Sequence, residues 1–224
     1  GRRRASASTS DFAEDALVET VRKACTIAAH TAEDPAAGLA DEARMATAFP
    51  DLELCHPWSL TPEAAIEVAT GCEAAALAAD SRIDNSEGAS VSTSRGVRVY
   101  GNSWGFRGAS ESTRHSLSCS VLAQQDGAME RDYWFSVARD AQALESAQAV
   151  GRRAAERTVR RLGARKISTR KAPVLFPAEL ARSLIGSFLG ALRGGAQYRE
   201  ASFLLDAVGS EVFPAFVDIS ERPQ

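Results

Sequence analysis

Apolar and polar side chains alternate with a period of two through most of residues 83–139. Successive side chains of a β-strand point to opposite faces, so this period predicts strands and excludes an all-helical chain. Gly101-Asn102 and Asp126-Gly127 interrupt the alternation, and these residue types tolerate the positive φ of tight hairpin turns. We therefore predict an antiparallel meander. Its alternating apolar residues are Val97, Val99, Trp104, Phe106, Leu117, Cys119, Val121, Tyr133, Phe135 and Val137. A small polar face, predicted to meet solvent or a partner, contains Ser110, Ser112, Ser116, Ser118 and Ser120.

Helical periodicity brackets the meander on both sides. Thr61 followed by Pro62 is a typical helix start, an N-cap at Asp11 is expected for the first helix, and Gly163 is a typical helix stop. The predicted helices cover residues 11–30, 61–80, 146–162 and 178–192, and short strands are predicted around Leu52 and Leu54 and at residues 174–176. This order predicts an α+β fold with helices flanking a mainly antiparallel sheet.

Two of these helices have predicted inward faces. The helix at 61–80 is expected to bury Ile66, Ala69, Ala76 and Leu77, and the helix at 146–162 to bury Ala147, Val150, Ala154, Ala155, Val159 and Leu162.

The glycines of the last helix lack the Gly-Lys-Ser/Thr ending of a phosphate loop. We therefore expect Gly186 and Gly190 to let that helix pack closely on a neighbour, and Gly194-Gly195 to end it.

Histidine and cysteine are scarce, with three His and four Cys and no Cys-x-x-Cys pair. Cys55 and His56 adjoin in an extended segment and would point to opposite faces, so no metal site is predicted there. His115 lies among serines and could act as a general base. No orienting carboxylate is evident, and we favour a sheet-surface histidine that is hydrogen-bonded to a neighbouring serine.

Charge is distributed unevenly along the chain. The net charge of −3 comprises −8 over residues 1–80, −1 over 81–150 and +6 over 151–224. The basic block from Arg152 to Lys171 could bind nucleic acid, but it has no interleaved aromatic residues for base stacking. We favour charge pairing within the chain or with a subunit. No apolar run is long enough to cross a membrane and no signal segment opens the chain, so we expect a soluble protein that is not exported and has no membrane partner.

Several stretches resemble the TldD/PmbA family, and within it the PmbA (TldE) branch. They occur in order along nearly the whole chain, at residues 6–11, 31–35, 96–103, 112–118, 129–133, 165–174 and 202–206. The clearest are GVRVYGNS (96–103), STRHSLS (112–118) and RKISTRKAPV (165–174). The resemblance implies a PmbA/TldD-like fold. It also implies three parts: the end of an N-terminal domain (1–50), a middle α+β domain (51–168) and the beginning of a C-terminal domain (169–224). The chain starts at Gly1, and we expect it to be a fragment of a longer protein.

The resemblance also implies a metal site in another subunit. In the family, the catalytic TldD-type partner carries His-Glu-x-x-x-His on a helix that binds zinc. The corresponding positions here are Arg182, Ser183 and Ser187, and no histidine follows residue 115. We therefore expect no catalytic or metal-binding residue and no cofactor in this chain, and zinc in the partner subunit. Arg114, His115 and Ser116 are candidate peptide or interface contacts.

These observations predict a non-catalytic subunit of a TldD/TldE zinc metallopeptidase. The resemblance implies that the complex is a cytoplasmic bacterial heterodimer that degrades small or unfolded peptides and matures peptide antibiotics of the microcin type. Two alternatives remain open. One is a regulatory binding protein of the DNA gyrase modulator type that uses the basic helix. The other is an independent peptidase whose site lies in a missing C-terminal half.

Overall fold

The computed structural model describes residues 2–39, 41–48 and 50–221. They form two compact units, one up to residue 160 and one from residue 161 onwards. Residues 1, 40, 49 and 222–224 lie outside the described residues. They include Phe49, which is predicted in a loop, and the outermost residues of the predicted first and third domains. The division into domains at 1–50, 51–168 and 169–224 stays a prediction.

The first unit combines a meander with helices, which confirms the predicted α+β class. Its three strands pair antiparallel in the order β1-β2-β3. Asp126 and Gly127, at φ 52° and 79°, form the predicted two-residue turn between β2 and β3, whereas residues 102–106 form a longer turn between β1 and β2. The elements are α1 (Glu14–His30), α2 (Pro62–Leu77), β1 (Ile83–Gly101), β2 (Arg107–Gln125), β3 (Ala128–Ala138) and α3 (Ala147–Arg161).

The core of this unit lies between one face of the sheet and the helices α2 and α3. Thr61 caps α2 as predicted, because its Oγ1 accepts a hydrogen bond from Ala64 N at 3.2 Å, and Pro62 follows it. Burying the apolar side chains of this core removes apolar surface from water, and this is the main contribution to the stability of the unit. The buried apolar residues of the unit are Cys72, Ala76, Ile83, Leu117, Cys119, Val121, Ala123, Val150, Ala154 and Ala155.

Helices α2 and α3 touch backbone to backbone at Gly151. A Cβ at this position would lie 2.1 Å from Cys72 O and 3.0 Å from Ala76 N, so no larger residue fits without moving a helix. Thr158, about two helical turns further along the same face of α3, is fully buried, and its Oγ1 donates to Ala154 O at 2.8 Å. The sequence pattern correctly predicted Val150, Ala154 and Ala155 as buried but did not include Gly151 or Thr158.

The predicted inward face of α2 is correct at Ala76 and wrong at Ile66 and Leu77. Ile66 and Leu77 of α2 are 62% and 40% exposed, because the buried side of α2 is centred on Cys72 and Ala76. On β3, Cys119 pairs with Trp134 and Ser118 with Phe135, so the register places the odd-numbered β3 residues beside the serines of β2. The apolar residues of β3 that therefore lie on the outer, serine-bearing face are Tyr133, Phe135 and Val137.

Helix α1 begins later than predicted. Its N-cap is Ala13, and Asp11 instead accepts a hydrogen bond from Ala13 N at 2.9 Å, one turn before the helix. None of its residues is buried. The preceding segment is held against the residues after α1 by a bridge and an ion pair between Arg3 and Glu33.

The second unit contains α4 (Ala178–Leu192), at the predicted bounds, and the short α5 (Gly194–Tyr198). The glycines Gly194 and Gly195 begin α5 rather than simply ending α4. Residues 174–176 form no strand. Phe188 and Phe213 contact edge to face at 5.0 Å, and Ser202 Oγ donates to Ala191 O at 2.8 Å.

A close packing role for the α4 glycines is not observed. A Cβ at Gly186 or Gly190 would meet nothing within 4 Å among the described residues. Within that same part of the chain, no helix has both the length and the apolar character needed to cross a membrane.

Candidate functional site

His115 is buried in the first unit, 1% exposed, on the helix-facing side of β2. Its Nε2 lies 2.9 Å from His56 O and its Nδ1 lies 2.8 Å from Thr93 Oγ1. A carbonyl oxygen can only accept, so we assign the proton to Nε2 and let Nδ1 accept from the Thr93 hydroxyl. Trp58 contacts the ring edge to face at 5.5 Å. The predicted surface position with a serine partner is wrong, because neighbouring serines lie on the other face of the strand.

Thr113, two residues earlier on the same face, fixes the chain segment 54–56 to β2. Its backbone N donates to Leu54 O at 2.9 Å, and its Oγ1 accepts from His56 N at 2.8 Å and donates to Arg139 O at 2.7 Å. The segment therefore follows the sheet by these contacts, although the strand predicted at Leu52 and Leu54 does not form.

This segment forms one wall of a cleft of about 680 Å³, which is lined by residues 50–56 and 109–111. Inside it, Glu111 Oε2 accepts hydrogen bonds from Arg95 Nη2 at 2.5 Å and Arg95 Nε at 3.1 Å. The Arg95 guanidinium lowers the pKa of Glu111. The Cys55 thiol donates to the same carboxylate oxygen at 3.6 Å. Glu111 is thus an ionised partner of Arg95 and is not a free base.

Arg114, His115 and Ser116 do not form one site. As consecutive strand residues they alternate, so His115 faces the helices while Arg114 and Ser116 lie on the outer face. Arg114 is exposed and Ser116 half-buried, and the stacked rings of Tyr133 and Phe135, 6.2 Å apart, lie further along that face. The outer pair is free to contact a peptide or subunit, whereas His115 already has partners on both ring nitrogens. The contact role of these residues stays a prediction.

The helix positions that correspond to a zinc-binding motif are Arg182, Ser183 and Ser187 on α4. Ser183 Oγ donates to Leu180 O at 2.6 Å and Ser187 Oγ donates to Ser183 O at 3.0 Å. Protein zinc ligands are the thiolate, imidazole and carboxylate groups of Cys, His, Asp and Glu, which these three residues lack. Across residues 2–39, 41–48 and 50–221, no group of three or more such side chains is arranged to hold a metal ion. The residues of α4 do not fit zinc.

The basic face of α3 is partly used inside the chain. The Arg153 guanidinium lies 3.8 Å from the centroid of the Trp134 ring, and Arg157 lies 5.2 Å from it. Arg157 also pairs with Asp132 at 3.6 Å, and Arg153 with Glu145 at 4.0 Å. The predicted charge pairing within the chain occurs here between arginines of α3 and the carboxylates of Asp132 and Glu145.

Two buried thiols lie between α2 and the sheet. Cys72 and Cys119 are 0% and 1% exposed and hydrogen-bond each other. This hydrogen bond and the burial raise the pKa of the Cys72 thiol. The same hydrogen bond lowers the pKa of the Cys119 thiol, and both side chains are enclosed, so the pair forms part of the core between α2 and the sheet.

A profile of the PmbA/TldA metallopeptidase central domain matches residues 55–162, and one of the PmbA/TldA metallopeptidase C-terminal domain matches residues 169–224. The chain belongs to the PmbA/TldD metallopeptidase family.

Within that family, sequence relatives indicate the PmbA branch. The chain is 46% identical over 221 residues to the metalloprotease PmbA of Escherichia coli O157:H7, covering 99% of this chain and 49% of the relative. It is 44% identical over 223 residues to a metalloprotease PmbA homolog of Haemophilus influenzae, covering 100% and 49%. The chain thus spans about half the length of the curated relatives it matches.

Solved structures show the same fold. A protein of Bacteroides thetaiotaomicron, named for a proposed modulation of DNA gyrase, matches with a TM-score of 0.81 at 29% identity, over 92% of this chain and 47% of the other. TldE of Thermococcus kodakarensis matches with a TM-score of 0.63 at 17% identity, over 91% and 46%. The second likeness shows the fold alone.

Proposed function

We propose that this chain is a PmbA/TldE-type subunit of a cytoplasmic TldD/TldE metallopeptidase complex and does not itself hold the catalytic zinc. The complex would act on small or unfolded peptides, including the precursors of peptide antibiotics. The observation that carries the proposal is family membership combined with α4. Where a zinc-binding member would have two imidazoles and a carboxylate, this helix has Arg182, Ser183 and Ser187, and both hydroxyls bond their own helix backbone.

In this role, the chain contributes binding surface and support to a TldD-type partner that supplies the zinc. Arg114 and Ser116 on the outer sheet face are the proposed peptide or subunit contacts. The stacked Tyr133 and Phe135 rings offer apolar area beside them. An exposed sheet face with a few polar groups and a flat aromatic pair suits an extended peptide or a protein surface better than a small metabolite.

Zinc content tests the non-catalytic role. The complete protein is purified alone and with its TldD-type partner, and zinc is counted by mass spectrometry after dialysis. We expect less than about a tenth of an equivalent on this protein alone and about one equivalent per heterodimer, because the α4 positions lack the thiolate, imidazole and carboxylate groups that bind zinc in proteins. The Ser187→Ala variant should leave both values unchanged. One tightly held zinc ion on the isolated protein would overturn the proposal.

The names of the curated relatives favour a second candidate. Two are called metalloproteases, and the half of their length that this chain does not span could hold a complete site. In that case the complete protein would hydrolyse peptides without any partner. Assaying it alone, with and without a zinc chelator, separates the two candidates.

A further inference from the structure

Arg114 and Arg139 lie opposite each other where β3 ends. The last residues that pair between β2 and β3 are His115 and Ala138, so the next residue of each strand is an arginine. Thr113 Oγ1 donates to Arg139 O at 2.7 Å and holds this part of the chain beside β2. Residues directly opposite on neighbouring strands have Cβ atoms about 5 Å apart, and two like charges there destabilise a sheet. An anion bound between the two guanidinium groups removes this repulsion.

No acidic side chain of the described residues neutralises the two arginines. Neither forms an ion pair within residues 2–39, 41–48 and 50–221. The one acid of β2, Glu111, lies on the helix-facing side, where it pairs with Arg95. The strand register surrounds Arg114 on the outer face with uncharged residues, which are Ser92, Ser94, Ser112, Ser116 and Val137.

Both arginines line one small cleft. Its volume is about 230 Å³, and its other lining residues are Thr113, Val137 and Ala138. Pockets that enclose a whole small molecule usually exceed about 300 Å³, so this cleft suits one end group of a larger ligand. A guanidinium group pairs with a carboxylate through two parallel, charge-assisted hydrogen bonds. The chemistry of the cleft therefore fits a carboxylate.

An apolar column leads away from the cleft along β3. Val137, Phe135 and Tyr133 pair with serines of β2 and lie on the same outer face as the two arginines. At about 3.3 Å per residue, Tyr133 is about 20 Å from Arg139. The column ends at Arg139, because the next residue, Asp140, accepts a hydrogen bond from Gln142 N at 2.9 Å and begins a short 3-10 helix. One end of this column is cationic and the rest is apolar, which matches an apolar peptide that ends in a carboxylate.

We propose that Arg114 and Arg139 bind the C-terminal carboxylate of an extended peptide whose preceding side chains lie on Val137, Phe135 and Tyr133. The inference rests on the proposed function, which makes peptides the ligands, and it adds a preference for peptides with a free C-terminus. The two arginines act in binding alone, and hydrolysis stays with the zinc of the TldD-type partner.

Peptide binding tests the carboxylate contact. The complete protein, with a zinc chelator present, is titrated into two peptides that carry the same fluorophore at the amino end. One is Ala-Ala-Phe-Leu-Ala with a free carboxyl end, and the other is the same peptide with an amide end. Fluorescence anisotropy should show at least ten-fold tighter binding of the free acid, because hydrogen bonds to charged groups usually change affinity by this factor or more. Equal affinity for the two peptides, or no binding of either, would overturn the proposal.

Single substitutions locate the contact. Arg114→Gln and Arg139→Gln should each raise the dissociation constant of the free acid at least five-fold and leave that of the amide unchanged. Arg98→Gln is the matched control, because Arg98 pairs with Ser110 on the same face, about 13 Å along β2 from Arg114. It should change neither affinity, and an effect as large as that of Arg114→Gln would contradict the site. Circular dichroism checks the fold of each variant, and the comparison of the two peptides on the wild type needs no variant.

A third peptide separates two sources of the carboxylate. It has an amide end and aspartate as its last residue, and we expect it to bind as weakly as the first amide. Binding as tight as that of the free acid would assign the cleft to acidic side chains and overturn the proposal. An acid from the half of the relatives' length that this chain does not span would neutralise the arginines, make the first two peptides bind equally and also overturn it.

Failure of the proposed function gives a different result. Zinc bound to this protein alone, or a complex that cleaves no peptide, leaves the affinity ratio of free acid to amide unchanged. Conversely, a complex that cleaves peptides but binds the free acid and the amide equally refutes only the carboxylate contact.

Discussion

Gly151 is the position at which one added methyl group should cost the most stability. Its Cβ would lie 2.1 Å from Cys72 O, a backbone atom that cannot rotate away, so α2 and α3 must separate. Overpacking of this kind costs about 3 kcal/mol at the upper end of the usual range, and alanine regains about 1 kcal/mol over glycine inside a helix. We therefore expect Gly151→Ala to lower the free energy of unfolding by about 2 kcal/mol.

Gly71 provides the matched control. It lies in α2 of the same unit, and a Cβ there would meet nothing within 4 Å. Gly71→Ala should raise the free energy of unfolding by about 0.5–1 kcal/mol, because only the helix preference changes.

Urea denaturation followed by tryptophan fluorescence measures both effects. The three tryptophans, Trp58, Trp104 and Trp134, all lie in the first unit, so the signal reports that unit. The midpoint should fall for Gly151→Ala and rise for Gly71→Ala at a constant slope. A Gly151→Ala chain as stable as the wild type would refute the close backbone contact.

Three further perturbations follow from single contacts. His115→Ala should lower the free energy of unfolding by about 2–3 kcal/mol in urea titrations, because it leaves a buried carbonyl without its donor. The substitution Arg114→Ala at the exposed neighbour should change it by less than about 0.5 kcal/mol. Equal effects of the two substitutions would contradict the buried position of His115. Hydrogen bonds from Arg82 lower the pKa of Asp80 to about 2, so the ionised pair stabilises the fold above pH 4 and this stabilisation is lost as the pH falls towards 2. Asp80→Asn should therefore reduce the change of the urea midpoint between pH 4 and pH 2, and a pH dependence equal to that of the wild type would contradict the pair. Arg153→Ala should destabilise the first unit by about 1 kcal/mol through its contact with the Trp134 ring, measured by thermal unfolding, while a loss no larger than that of Arg152→Ala would contradict the contact.

The sequence pattern predicted what depends on neighbours along the chain. The period of two predicted the meander, and Thr61-Pro62 and Asp126-Gly127 predicted a helix start and a hairpin turn, because each is a local backbone requirement. The pattern did not predict which side of β3 faces the helices, since Tyr133 and Trp134 are both aromatic and only the pairing of Trp134 with Cys119 decides which one points inwards.

The candidate site residues show the same contrast between features set by neighbours along the chain and features set by distant residues. The alternation along β2 places His115 on the face of Leu117, and this signal could have predicted its burial, although the neighbouring serines suggested a surface position. Its partners, His56 O and Thr93, are 59 and 22 residues away, so no local pattern predicts them. Gly151 was missed for a similar reason, because its role depends on how closely α2 approaches α3.

Peptide hydrolysis by the reconstituted complex tests the central claim most directly. The complete protein, its TldD-type partner and an equimolar mixture are each incubated with an unfolded peptide, and the products are followed by mass spectrometry. The account predicts cleavage by the mixture that a zinc chelator abolishes, and no cleavage by the complete protein alone. Chelator-sensitive cleavage by the complete protein without its partner would contradict it.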